Sequence, residues 1–268
     1  MSESDLDPAA GLPTRAASGV TWGLRQIAVG AIGVLVIFFI VAVAASGIIG
    51  AAGFDPDSTN ALFVQTLTIV FWDAGMVFLV YRLVRSTGAS WNDLGLRPPR
   101  PRPIRIDAGL GDDGPWTTGR VVRWVFGGYA ASFGLVIGYN IVINLLGLDF
   151  LKPSQQFPDQ IFNSPWLVAI IGASAVLLAP VAEEIFFRGF LFGGLRRSMP
   201  FLPAALISGA LFSLAHVNPG LVIPFTGVGF IFAYIYERTG TLYSSIGVHF
   251  TFNLLSFLAL ILIPEARG

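Results

Sequence analysis

The feature that most limits the fold of this chain is a run from Ile27 to Ile49 that contains no charged residue. A helix needs about 20 predominantly apolar residues to cross a bilayer, and this run is long enough. Charged residues make up only 12% of the chain, whereas a soluble domain has about 25%. The sequence therefore predicts an all-α, polytopic membrane protein, a bundle of about seven transmembrane helices. The six further apolar runs are Ala61–Val84, Val121–Leu146, Trp166 through Glu183, Phe201–His216, Leu221–Tyr236 and Leu242–Ile263.

The rest of the chain divides into a short tail, a transmembrane domain and one long loop. Residues 1–26 begin with acidic and polar residues, unlike the basic start of a cleaved signal peptide, and we interpret them as an N-terminal cytoplasmic tail. Residues 27–263 form the transmembrane helical domain. Within it, residues 85–120 are rich in arginine and proline, which predicts a solvated loop rather than a folded unit.

Basic residues indicate the orientation in the membrane, because they favour cytoplasmic loops. With alternating helices, nearly all of them fall on one side, and only Lys152 and Arg267 fall on the other. We therefore predict a multi-pass protein of a cell membrane, with a cytoplasmic N-terminus and an external C-terminus. The abundance of arginine, alanine and glycine suggests a GC-rich bacterial genome. We therefore predict that the membrane is a bacterial inner membrane. The arginines on the predicted cytoplasmic side are Arg15, Arg25, Arg82, Arg85, Arg97, Arg100, Arg102, Arg105, Arg120, Arg123, Arg196, Arg197 and Arg238.

Composition excludes several kinds of function. The formal net charge is zero, with 16 lysine and arginine residues, so there is no basic excess to bind nucleic acid. The chain has no cysteine, which excludes disulfides and thiolate chemistry. Its two histidines are His216 and His249, and any histidine chemistry must use them. The predicted partners are membrane lipid and a protein or peptide.

Several polar side chains lie inside the last four apolar runs. An ionisable side chain in hydrocarbon costs about 2.5–3.5 kcal/mol on insertion scales, so such residues are functional candidates. At 1.5 Å per residue, four of them lie about 12–22 Å from the predicted cytoplasmic helix ends. These four are Glu183, His216, His249 and Asn253. This common range of depth indicates one buried site rather than scattered packing groups. The residues are Glu183, Glu184, Arg188, His216, His249 and Asn253.

Helical spacing predicts how these side chains face each other. Glu184 and Arg188 are four residues apart, which favours an ion pair on one helix face. Glu183 points about 100° away from Glu184, so it can face the two histidines. The set supplies a carboxylate base, imidazoles and an amide donor, the groups needed to activate water and stabilise an oxyanion. Asp73, in the second run, has no evident partner in the sequence.

Three short motifs resemble those of the CPBP family of intramembrane proteases, which includes the CAAX proteases and bacteriocin-processing (Abi) enzymes. The sequence EEIFFRG from Glu183 is similar to the EExxxR motif, FSLAH ending at His216 to FxxxH, and HFTFN from His249 to HxxxN. They occur in the family's order within residues 165–263, which the resemblance identifies as a CPBP-like catalytic core. The stretch Leu94–Arg97 is faintly similar to an upstream element.

The resemblance implies an intramembrane endopeptidase that hydrolyses a peptide bond of a membrane-associated protein or peptide. It implies that Glu183 and His216 activate the water, and that His249 and Asn253 polarise the carbonyl or hold the oxyanion. Glu184 and Arg188 would be the supporting pair.

Metal dependence stays open in the sequence. Glu183, His216 and His249 could form a His₂Glu zinc site with an open position, or they could act as a glutamate–histidine system without metal. The prediction is therefore no cofactor or a single divalent metal, with zinc favoured.

Other readings of the same residues lead to other classes of protein. The cluster could bind a partner in a non-catalytic immunity or scaffold protein. A transporter is disfavoured because no inverted repeat is evident. Zincin chemistry is excluded because Val217 and Phe250, rather than glutamate, follow the histidines. A serine mechanism would have to recruit Ser208, Ser213 or Ser244, none of which lies in a recognisable nucleophile turn.

Overall fold

A computed structural model describes residues 20–99, 117–154 and 157–263. Every regular element in these ranges is helical, which confirms the predicted all-α polytopic membrane protein. Among these residues, six helices are long and apolar enough to cross a membrane, and a shorter apolar helix lies between the fourth and the fifth of them. The helices are α1 (Leu24–Ala52), α2 (Thr59–Arg85), α3 (Thr118–Leu145), α4 (Pro165–Leu195), α5 (Phe201–Leu214), α6 (Val222–Thr239) and α7 (Leu242–Leu262).

Some predicted positions lie outside the described residues. These are the tail up to residue 19, including Arg15, the loop arginines Arg100, Arg102 and Arg105, and the C-terminal Arg267.

The helix ends follow from capping residues in the sequence. Ser58 accepts a hydrogen bond from the main-chain N–H of Ala61 and begins α2, as N-cap serines commonly do. Gly53 and Gly240 end α1 and α6 with φ of 66°, a left-handed conformation that glycine adopts without steric cost. The connections between helices are therefore encoded locally.

Packing places α4 in the middle of the helices. It contacts α2, α5 and α7, while α1 packs on α2, α5 on α6, and α3 on α6 and α7. Gly209 of α5 and Gly229 of α6 meet so closely that a Cβ on Gly229 would lie 2.7 Å from Gly209 Cα. Small residues allow such close helix contacts in membranes. As a result, polar groups on α4 are enclosed by neighbouring helices instead of facing lipid.

Two stretches of α4 have π-helical geometry, which the sequence did not predict. They are Ser174–Leu178 and Glu184–Phe192. Pro180 follows the first, and proline lacks the N–H that would continue an α-helical ladder. π-Helical turns occur frequently at functional sites, and the second stretch begins at one of the predicted site residues. Every residue from Glu184 to Phe192 is buried.

The fifth apolar run ends earlier than predicted. The sequence indicated a helix through His216, but α5 ends at Leu214 and His216 lies in the following turn. Fourteen residues span about 21 Å, less than the roughly 30 Å hydrocarbon core. The side-chain amide of Asn218 makes two hydrogen bonds to the main chain of Ser154. It donates to the carbonyl at 2.9 Å and accepts from the N–H at 3.3 Å. The side chain of Asn218 thus links the turn after α5 to Ser154 and satisfies the main-chain N–H and C=O of Ser154.

The described part of the loop 85–120 includes a segment packed against the helices. Leu94 is buried, and its carbonyl accepts a hydrogen bond from the hydroxyl of Tyr236 at 2.9 Å. The carbonyl of Gly95 accepts from the N–H of Leu242 at 2.8 Å. Trp22, in the predicted tail, is also buried and donates to the carbonyl of Phe190 at 2.8 Å. Both segments therefore hold the ends of α4, α6 and α7.

Candidate active site

The predicted ion pair between Glu184 and Arg188 is present at the centre of the bundle. Nη1 of Arg188 lies 2.8 Å from Oε1 of Glu184, and both side chains are fully buried. The guanidinium also donates to the carbonyl of Gly229 at 3.3 Å and lies 4.4 Å from the ring centroid of Phe212. A buried charge is tolerated only when it is paired and hydrogen-bonded, and Arg188 meets this condition.

His249 on α7 lies between the two glutamates of α4. Its Nδ1 is 3.1 Å from Oε1 of Glu184, and its Nε2 is 3.8 Å from Oε2 of Glu183. Because Glu184 is a carboxylate paired with Arg188, Nδ1 of His249 is the hydrogen-bond donor. The sequence assigned Glu183 alone to the histidines, so the bond from His249 to Glu184 was missed. The sequence gives little indication of this hydrogen bond, because it joins residues 65 positions apart.

His216 is oriented by the helix that precedes it. Its Nδ1 lies 2.9 Å from the carbonyl oxygen of Phe212. A carbonyl can only accept, so Nδ1 carries the hydrogen and Nε2 of the neutral ring has a free lone pair. Edge contacts with the rings of Phe212 and Phe225, at 4.9 and 4.8 Å between centroids, hold the imidazole in place. This is the tautomer required of a base that acts through Nε2.

A cavity of about 230 Å³ lies beside Glu183 and His216. The structure therefore brings these two predicted residues to one wall, although they come from α4 and from the turn after α5. The side chain of Glu183 is 16% exposed, so it is accessible from this space. The other lining residues are Phe38, Thr68, Ile69, Trp72, Phe187 and Ala215.

Asn253 lies on α7, four residues after His249, and is not part of the cavity wall. Its amide donates to the carbonyl of Ala175 at 2.8 Å. Ala175 belongs to the first π-helical stretch of α4, where irregular backbone exposes carbonyl groups. The amide has two N–H donors, and this bond occupies one.

Asp73 is a further carboxyl group close to the site. It is buried on α2, and neither of its oxygens has a hydrogen-bond partner among the described residues. It is near enough to Glu183 for the two groups to interact electrostatically. The sequence offered no partner for Asp73, and the structure places it beside the α4 carboxylate.

The predicted zinc ligands do not converge in this arrangement. Within residues 20–99, 117–154 and 157–263, no three histidine, aspartate or glutamate side chains are grouped as a metal site requires. His249 directs Nδ1 to Glu184 and Nε2 to Glu183, and His216 instead contacts the carbonyl of Phe212 through Nδ1. The donor set as arranged does not fit a His₂Glu centre.

The fold and site define a polytopic α-helical membrane protein with a buried glutamate–histidine centre. Residues 164–255 match the protein family described as type II CAAX prenyl endopeptidase Rce1-like. The resemblance carried by the three motifs is thereby confirmed for the segment that contains all of them.

Curated relatives are similar to about half of the chain. Putative membrane peptidase YdiL of Bacillus subtilis is 28% identical over 136 residues, covering 50% of this chain and 54% of YdiL. Membrane-embedded CAAX protease MroQ of Staphylococcus aureus is 27% identical over 158 residues, covering 54% and 61%. The uncharacterized protein YyaK of Bacillus subtilis is 34% identical over 137 residues, covering 46% and 45%. The chain thus aligns with about half the length of these relatives. No solved structure matches it significantly.

Proposed function

We propose that this protein is an intramembrane endopeptidase that hydrolyses a peptide bond of a membrane-associated protein or peptide. The observation that carries the proposal is the shared cavity wall of Glu183 and His216, where a carboxylate and an Nε2 lone pair flank one space. The match of residues 164–255 to a prenyl endopeptidase family and the names of YdiL and MroQ support the same class of reaction.

In the proposed reaction, a water held between Glu183 and His216, at the polar end of the cavity, attacks the carbonyl carbon of the substrate peptide bond. Glu183 accepts one proton of this water, and Nε2 of His216 accepts a hydrogen bond from the other O–H and orients the nucleophile. Glu183 then gives its proton to the leaving nitrogen as the C–N bond breaks. General acid–base catalysis of this kind contributes about 10²–10⁴-fold to a rate.

His249 and Asn253 are the proposed donors to the oxyanion. Carboxylate oxygens flank both ring nitrogens of His249, and in this proposal each nitrogen carries a hydrogen that it can donate. Nε2–H of His249 then faces the space beside Glu183. The second N–H of the Asn253 amide supplies another donor. Preorganised donors at a developing oxyanion are worth about 10²–10³-fold each.

The proposed mechanism has no metal step, because the three candidate ligands do not converge. Metal analysis of purified protein, with cleavage assayed after exhaustive chelation, tests this point. We expect zinc far below one equivalent per protein chain and unchanged cleavage. Stoichiometric zinc with activity that is lost on chelation and restored by zinc would contradict it.

The activity itself is tested with the purified protein in liposomes that contain a membrane-anchored peptide library. We expect peptide cleavage that is abolished in Glu183→Ala and in His216→Ala. Ser213→Ala is the matched control, because Ser213 donates to the carbonyls of Leu221 and Val222 and has no proposed role. Circular dichroism and size-exclusion profiles equal to wild type show that the variants are folded. Cleavage that survives in both variants overturns the mechanism, and peptide binding without cleavage favours the non-catalytic alternative.

A further inference from the structure

The cavity beside Glu183 and His216 is polar at one end and apolar elsewhere. Phe38, Trp72 and Phe187 contribute aromatic surface, and Thr68 is the remaining polar residue of the wall. The Thr68 hydroxyl donates to the carbonyl of Val64 at 3.2 Å, so its hydrogen is already used within α2. Among the described residues that line this space, the side chains of Glu183 and His216 therefore offer a carboxylate and a ring nitrogen, and Thr68 offers acceptor lone pairs alone.

Most of the apolar wall comes from Phe38 on α1 and from Ile69 and Trp72 on α2, and both helices lie outside the segment matched by the family comparison. The indole N–H of Trp72 donates to the carbonyl of Val34 at 3.2 Å, and its ring meets Phe38 edge-on at 5.4 Å. Gly33 and Gly75 allow the two helices to pack closely, since a Cβ at either position would lie within 3 Å of a side chain of the other helix. The wall is thus held in a defined position before substrate binds.

The volume of the cavity sets the size of its occupant. An apolar cavity of about 150 Å³ can bind benzene, so about 230 Å³ has room for a phenylalanine or leucine side chain. We infer that this cavity is a specificity pocket for one large apolar side chain next to the cleaved bond of the substrate, and that α1 and α2 select it. This inference rests on the proposed function, because the pocket is defined relative to Glu183 and His216.

An apolar occupant follows from the chemistry of the wall. A buried charged or amide side chain needs several partners, and the described residues of the wall offer a single hydroxyl acceptor, Thr68, besides the groups that act on the peptide bond. A small side chain such as alanine would leave most of the cavity unfilled and lose the contact energy. One missing methylene in a hydrophobic pocket changes kcat/KM by about 10–200-fold.

The experiment compares kcat/KM for membrane-anchored peptides that carry phenylalanine, leucine, alanine or aspartate at each position flanking the cleaved bond. For wild type we expect phenylalanine or leucine to exceed alanine by at least about tenfold on one side of the bond. Thr68→Phe narrows the pocket and should lower that ratio by about tenfold or more. The kcat/KM for the alanine peptide should stay at the wild-type value. Ile69→Ala widens the pocket and should raise kcat/KM for the phenylalanine peptide relative to the leucine peptide.

The matched controls are Thr59→Phe and Ile40→Ala, which make the same changes at exposed positions on α2 and α1 and should leave the ratio at the wild-type value. Equal cleavage of large and small apolar peptides by wild type, or an unchanged ratio in Thr68→Phe, overturns the inference and leaves the protease assignment intact. Absence of cleavage for every peptide counts instead against the proposed function.

Discussion

At the scale of the residue, a single carboxylate oxygen joins the two helices of the candidate site. Oε1 of Glu184 lies 2.8 Å from the Arg188 guanidinium and 3.1 Å from the His249 ring nitrogen. Glu184 therefore neutralises a buried cation and also holds the imidazole that faces Glu183. Adjacent glutamates in the sequence have different tasks: one is exposed to the cavity, and the other is fully enclosed.

Removal of Glu184 is expected to destabilise the protein strongly. Glu184→Ala leaves Arg188 as an uncompensated buried charge, which costs about 3–5 kcal/mol of unfolding free energy. Thermal unfolding in detergent, followed by circular dichroism, measures the change. Glu183→Ala should shift the midpoint much less, because no hydrogen bond to Glu183 is lost.

The double variant Glu184→Leu with Arg188→Met supplies the control for this prediction. It removes both charges and should be more stable than Glu184→Ala, since neutral pairs of similar volume replace buried ion pairs at little cost. If the double variant is no more stable than Glu184→Ala, the unpaired charge of Arg188 is not the cause of the lost stability.

The buried carboxyl group of Asp73 is expected to lower the free energy of unfolding of the wild-type protein. Both of its oxygens are buried without a partner among the described residues, and an unsatisfied buried polar group costs about 1–3 kcal/mol or more if charged. Asp73→Leu replaces the unpartnered carboxyl group with an apolar side chain of similar shape and should raise the unfolding midpoint. Thr66→Val on the same helix face is the control, since Thr66 is already bonded to the carbonyl of Leu62. A lowered midpoint in Asp73→Leu would show that the Asp73 carboxyl group has a stabilising partner.

Sequence reasoning at this scale succeeded where contacts follow from position on one helix. The pair of Glu184 and Arg188 needs only a spacing of four residues on one helix. It could not find the bond from Asn253 to Ala175, because that contact depends on the packing of α7 against irregular backbone in α4. Spacing within a helix does not encode such contacts.

At the scale of the element, hydropathy predicted where helices run but not how they end or distort. Six predicted spans correspond to helices long enough to cross the membrane. The π-helical stretch Glu184–Phe192 and the end of α5 at Leu214 were missed, because apolar composition is unchanged by a wider helical turn or by a bend inside the bilayer. Both irregularities lie next to proposed catalytic residues, where local rules commonly give way to function.

The turn after α5 is expected to position His216. Asn218→Ala removes two hydrogen bonds to Ser154, each worth about 0.5–1.5 kcal/mol. Misplacement of a catalytic group by about 1 Å can cost up to about 10²-fold in rate, so kcat should fall more than stability alone explains. Hydrogen exchange at residues 215–218 should become faster than in wild type. Unchanged exchange and kcat would mean that the turn is held by other contacts.

At the scale of the whole molecule, the absence of cysteine gives a direct test of orientation. Arginine distribution predicts that the loop after α2 is cytoplasmic and the loop after α1 is external. Ser86→Cys and Asp57→Cys place single thiols at exposed positions in these two loops. An impermeant maleimide should label Asp57→Cys in intact cells and Ser86→Cys only after the membrane is opened. The reverse pattern would contradict the predicted cytoplasmic N-terminus.

The central claim is that Glu183 acts as the base of a hydrolytic site within the membrane. The most direct test is the single-turnover rate of peptide cleavage by Glu183→Gln and by wild type, both reconstituted in liposomes. Glutamine keeps the shape of the side chain and removes its basicity, so the account predicts a fall of about 10²–10⁴-fold at equal unfolding midpoint and substrate affinity. A rate within a few-fold of wild type would contradict it.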